Sequence, residues 1–136
     1  MSYFIKFKGL SEPIPPRPSV KQICYIWLGS FISVCIIGFL AYYTNQPLIL
    51  GSFGASIFVL FVLQDTPLAQ PRNVIGGHFL ATLVGLIFFH MVSIEWWSMA
   101  LSLAFSVSLM VFLRVSHPPA ASNPLIVFFL LTFVIW

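Results

Sequence analysis

Apolar residues run along this chain in long blocks, broken by short polar connectors: Gln22–Tyr43, Pro47–Leu63, Val74–Ile94, Trp96–Leu113 and, after a longer interruption, Leu125–Trp136. Runs of roughly 18 or more apolar residues suit helices that cross a bilayer. No stretch alternates apolar and polar residues as a membrane barrel strand does. The pattern predicts an all-α membrane protein of four to five transmembrane helices, two of them short or broken, arranged as an inverted repeat. Residues 1–21 read as a basic, proline-rich leader and 22–136 as a single transmembrane domain, with spans at about 22–43, 47–63, 74–94, 96–113 and 118–136.

Composition sharpens this picture. Of the 136 residues 60% are hydrophobic and 7% charged, and the mean hydropathy is +1.02. A soluble domain of this size has too few polar residues here to cover its surface. Cys24 and Cys35 are eleven positions apart on one predicted helix, too far for a disulfide, and read as packing residues. The leader is too long and too rich in proline for a cleaved signal peptide. Its aromatic and basic start, Tyr3 to Lys8, suits either a membrane surface or a disordered basic tail, and Pro13–Pro18 suits an extended linker.

Charge then sets the orientation. With the N-terminus in the cytoplasm, all 6 Lys and Arg residues fall on that side: Lys6, Lys8, Arg17 and Lys21 in the leader, then Arg72 and Arg114. Glu95 and the Thr44–Gln46 turn fall on the other. This obeys the positive-inside rule, and a bacterial plasma membrane is the expected location. The basic balance therefore needs no nucleic-acid partner.

Polar and small residues inside the blocks are the candidate chemistry. Gly29, Ser30, Ser33, Val34 and Gly38 in the first block, and Ser98, Ser102 and Ser106 in the fourth, lie at helical spacing and read as packing stripes, with serine hydroxyls bonded back to their own helix. His78, Thr82 and Gly85 follow i, i+4, i+7 and give the third block one polar face turned into the protein. His78 is then either a pathway group or a histidine satisfied by a carbonyl. His90 lies nearer a surface.

Two interruptions stand apart, although taken singly the first also reads as close helix packing through glycine and the second as a solvated connector between spans. Gly51-Ser-Phe-Gly-Ala-Ser56 opens the second block, and Arg114-Val-Ser-His-Pro-Pro-Ala-Ala-Ser-Asn-Pro124 precedes the last. They open short segments from opposite sides, the placing that marks the substrate site in inverted-repeat transporters. Helix N-termini meeting at the midplane favour an anion. The candidate binding residues are His117, Arg114, Arg72, His78, Asn73, Gly51, Ser52, Gly54, Ser56, Ser122 and Asn123, helped by backbone N–H groups of Gly51–Ser56 and Ala120–Asn123. Either histidine would suit proton coupling.

Ser116-His-Pro-Pro-Ala-Ala-Ser-Asn-Pro-Leu-Ile126 resembles the signature of the HPP family of small integral membrane proteins. Gly51–Ser56 and Pro67–His78 are similar to that family's other blocks. The family pattern carries glycine where Ala121 or Ser122 stands, and its members continue past the equivalent of Trp136. The resemblance implies a helical membrane protein and, because plastid and cyanobacterial members are associated with nitrite transport, passage of a small inorganic anion such as nitrite. A site so thinly walled would be closed by a neighbouring copy in a homo-oligomer.

The alternative function is a structural or assembly subunit of a larger membrane complex. An enzyme is not expected: Asp and Glu number 3 and none lies within a block, leaving no Ser-His-Asp set, carboxylate pair or metal-ligand spacing. No cofactor is expected, and the partners are lipid and the anion.

Overall fold

The computed structural model describes residues 16–45 and 51–135, all helix and connector. Five α-helices follow one another: α1 (Val20–Thr44), α2 (Gly51–Val62), α3 (Pro71–Met91), α4 (Trp96–Phe112) and α5 (Asn123–Ile135). Short 3-10 turns at Pro67–Ala69 and Pro118–Ser122 precede α3 and α5. The lysines and aromatics of the first eight residues, the Pro47 turn and Trp136 lie outside the described residues.

Local chemistry places the helix ends. The Ser19 hydroxyl accepts from the Gln22 amide and caps α1, while Asn45 closes it in the left-handed region, with φ of 51°. Pro71 stands in the first turn of α3, where its missing N–H costs nothing. Arg114 ends α4 with φ of 56°, and the Val115 amide turns back to the Met110 carbonyl at 2.9 Å.

Helix α3 is the centre of the bundle. Its 21 residues rise about 32 Å, close to the ~30 Å of a bilayer core. One face buries Asn73, Gly77, Ala81, Val84, Gly85 and Phe89. Helix α4 packs beside it through a stripe of Ser98, Ser102, Ser106 and Met110. Ser102 and Ser106 donate to the carbonyls of Met99 and Ser102 on their own helix, whereas the buried Ser98 hydroxyl has no partner among the described residues.

Two glycines of α3 admit the segment that carries the histidine and prolines. A Cβ on Gly77 would come within 2.9 Å of the His117 Cβ, and one on Gly85 within 2.8 Å of the Pro124 backbone. Without side chains at those positions, residues 115–127 lie directly on α3. Helix α5 then runs alongside α3, with Phe128 edge-on to Phe89 at 5.3 Å.

Helix α1 is different in kind. It has no buried residue and packs on α2, where Phe61 fills the space over Gly29 and meets Tyr25 edge-to-face. Ser33 bonds back to the Gly29 carbonyl. The expected packing stripe is shorter than its pattern suggests, because Gly38 has no neighbour within 4 Å and Val34 is exposed. Both cysteines are exposed as well, so they are not packed among the described residues.

Candidate functional site

The site forms where α2, α3 and the start of α5 meet. Along α3, His78 lies about 10 Å from the Pro71 end and Thr82 about 16 Å, which is mid-depth. From α2, Ser56 reaches His78, and one turn earlier Ser52 faces the same cavity as Thr82. Helix α2 therefore descends antiparallel to α3. Asn123, the first residue of α5, meets both His78 and Thr82, and α5 runs away in the opposite sense. The two short helices thus start from one depth and diverge.

At that depth a single hydrogen-bond network joins elements far apart in the chain. The Ser56 hydroxyl lies 3.0 Å from His78 Nε2 and 2.9 Å from His117 Nε2. His117 Nδ1 lies 2.9 Å from the Leu68 carbonyl. Asn123 Nδ2 lies 3.0 Å from His78 Nδ1, 2.8 Å from Thr82 Oγ1 and 3.3 Å from the His78 carbonyl.

The Leu68 carbonyl sets the direction of every bond in this chain. A carbonyl only accepts, so His117 Nδ1 donates and, with the ring neutral, Nε2 accepts from Ser56. The Ser56 oxygen then accepts from His78 Nε2, which leaves His78 Nδ1 to accept from Asn123. Both imidazoles are neutral and fully partnered in this arrangement. One acceptor, Asn123 Oδ1, and one hydroxyl, Ser52 Oγ, are buried without a partner among the described residues.

Beside the network lies a cavity of about 420 Å³, lined by Ser52, Phe53, His78, Thr82 and Asn123 with apolar residues of α3. His78 is half-buried at its wall, whereas His117 is completely buried behind Ser56.

Not all candidate residues gather here. Arg72 and Arg114 are exposed; the Arg72 guanidinium donates to the Arg114 carbonyl at 3.0 Å, tying two connectors at one end of the bundle. Neither side chain enters the network; along α3, Arg72 stands six residues, about 9 Å, from His78. Asn73 is buried, but its amide donates to the Pro67 carbonyl and braces the connector. Ser122 donates to the Pro119 carbonyl. Gly51 and Gly54 have open space where a Cβ would stand, so neither brings backbone closer to anything described. The N–H groups of Ala120 and Asn123 are spent on the carbonyls of His117 and Ala120. The polar groups that meet at this depth are the side chains of Ser52, Ser56, His78, His117 and Asn123.

The Leu68 carbonyl and Phe53 were not among the candidates. A carbonyl has no signature in sequence, and Phe53 reads as one more apolar residue. Thr82 was legible on the polar face of α3.

These observations define a helical membrane protein with a buried polar network beside a cavity at mid-depth. The chain belongs to the HPP transmembrane family, whose transmembrane region it matches over residues 15–133. It is similar to two transmembrane proteins of Dictyostelium discoideum. One is 33% identical, covering 93% of this chain and 47% of the relative. The other is 35% identical, covering 93% of this chain and 43% of the relative. The chain thus spans less than half the length of these curated relatives. No solved structure matches it. The comparisons establish a membrane protein, and relatives from Dictyostelium give no support to a bacterial location in particular.

Proposed function

We propose that this protein moves a small inorganic anion across a membrane, with nitrite as the first candidate. The observation that carries the reading is the mid-depth cavity whose polar wall is Ser52, His78, Thr82 and Asn123. Polar groups at this depth are costly unless they serve a pathway or a partner. The buried Ser52 hydroxyl, a donor without an acceptor among the described residues, suits an anion. Nitrite comes from the family resemblance alone.

The orientation follows from charge. Arg72 and Arg114 share one end of the bundle. Tyr25, near the start of α1, meets Phe61, near the end of α2, so Arg17 and Lys21 belong to that end too. We assign it to the cytoplasm.

A hydrolytic role is the weaker reading. Ser56 touches two imidazoles, but it is buried, its proton is committed to His117 and its oxygen to His78. A nucleophile needs an open face toward its substrate. An assembly role finds its support in α1, which offers a long unburied apolar surface.

The deciding experiment is uptake of labelled nitrite into proteoliposomes, with chloride and nitrate as competitors. Saturable uptake, lost in His78→Ala with the protein still folded, is the expected result. Absence of saturable uptake for every anion tried, from folded protein, sinks the transport reading and leaves assembly.

A further inference from the structure

The cavity has no fixed positive charge among the described residues. Arg72 and Arg114 are exposed at the helix ends, and Arg17 and Lys21 are exposed at the start of α1. The groups that face His78 are few. From α2 come Ser56 and Phe53; from the 114–118 stretch comes His117, through Ser56; from α5 comes Asn123. The Pro67–Ala69 turn contributes only the Leu68 carbonyl, to His117. Asp65 and Glu95 are exposed and bond to none of these. An anion placed against a neutral wall at mid-depth would lack a counter-charge, which is strongly unfavourable. His78 is the one group on that wall able to become a cation.

The neutral network also holds a ready response to a proton. A proton added at His78 Nδ1 sets an N–H against the Asn123 N–H₂, donor against donor. Turning the Asn123 amide by half a revolution brings Oδ1 to that N–H and to the Thr82 hydroxyl, which then donates. The oxygen that is unpartnered in the neutral state acquires its partners in the charged one. The displaced N–H₂ then wants an acceptor, and Asn123 lines the cavity.

Resting on the anion-transport reading, we infer that the cavity takes its anion together with one proton, bound at His78 and received by a turn of the Asn123 amide, so that transport is electroneutral. Hydronium on the side of entry gives up the proton, its O–H bond breaking as the Nδ1–H bond forms and water remaining; on the far side the N–H bond breaks and the proton returns to water as the anion leaves. One proton is the limit. The His117 ring lies 5.2 Å from that of His78, it is closed to solvent, and a second cation so near would repel the first.

The test uses the full chain and nitrite as the probe. In proteoliposomes with the potential clamped, initial saturable uptake is measured after subtracting protein-free vesicles, which report passive nitrous acid. Proton uptake on nitrite binding is measured separately in weakly buffered detergent solution. The expected result is uptake insensitive to a 100 mV clamp, where the gradient supported by a lone anion would change roughly 40-fold. One proton is taken up per anion bound. Apparent affinity falls about tenfold per pH unit on the alkaline side of the His78 titration. His78→Gln loses the proton uptake. Saturable uptake that follows the potential, with no proton bound, overturns the inference and leaves the transport reading standing. No saturable uptake and no binding overturn both.

Discussion

Helix α1 and the stretch from Arg114 to Pro124 are opposites. Helix α1 is the longest helix described, 25 residues of nearly unbroken hydrocarbon, and buries none of them. The eleven-residue stretch is irregular and proline-rich, yet it contains His117, Pro119, Ala120, Asn123 and Pro124, all buried. In water, hydrophobicity and burial go together. In a bilayer the apolar face looks outward to lipid, and the polar minority is turned inward because hydrocarbon cannot satisfy it. The comparison teaches that in this protein the breaks in hydropathy, not its peaks, locate the packed centre.

The sharpest way to break the comparison is at His117. His117→Leu keeps the volume but leaves the Leu68 carbonyl without its donor and the Ser56 hydroxyl with His78 alone. A loss of about 2–4 kcal/mol is expected, read as a clear drop in the thermal midpoint of purified protein in detergent. An unchanged midpoint would mean that the network does not hold the stretch in place.

Glycine gives the next contrast. Gly77→Leu forces atoms into the space that the His117 Cβ occupies and should cost about 1–3 kcal/mol. Gly54→Leu, on the open side of α2, should change stability by less than about 0.5 kcal/mol. The same melting experiment compares them, and equal effects would contradict the close contact between α3 and residues 115–117.

A smaller effect of opposite sign is expected at Arg114. Its φ of 56° suits glycine, and its side chain takes no part in the network, so Arg114→Gly should stabilise by about 0.5–1 kcal/mol. Destabilisation would show that the guanidinium makes a contact of its own. The smallest effect belongs to α1: Ile36→Ala, at a position 56% exposed, should leave the melting midpoint within the range of ordinary surface changes, about 0.5 kcal/mol. A loss of several times that would reveal a partner seated on α1.

Much of the architecture was readable in the residues. Helix, membrane and the interruption at Arg114–Pro124 follow from local pattern, and His78 with Thr82 was visible as a polar face at helical spacing, whereas Gly51–Ser56 is regular helix, the first half of α2. The arginines show where such reading stops. Positive charge near a supposed anion site made Arg72 and Arg114 attractive candidates, yet both stand at a helix end, where Arg72 bonds a backbone carbonyl. Ser122 and Asn73 likewise serve their own connectors.

The sequence by itself determined the solvent of this protein, its helical class and the short list of residues that lipid would not accept. Hydropathy and helical spacing are sums over neighbours, so a window of some twenty residues carries them. Tertiary structure alone decided which polar groups meet. Ser56 reaches His78 across 22 positions and His117 across 61, and those pairings depend on Gly77 and Gly85 letting one segment lie against α3. Helix geometry sets where each side chain stands along its own axis, but only packing between helices sets which axes lie side by side.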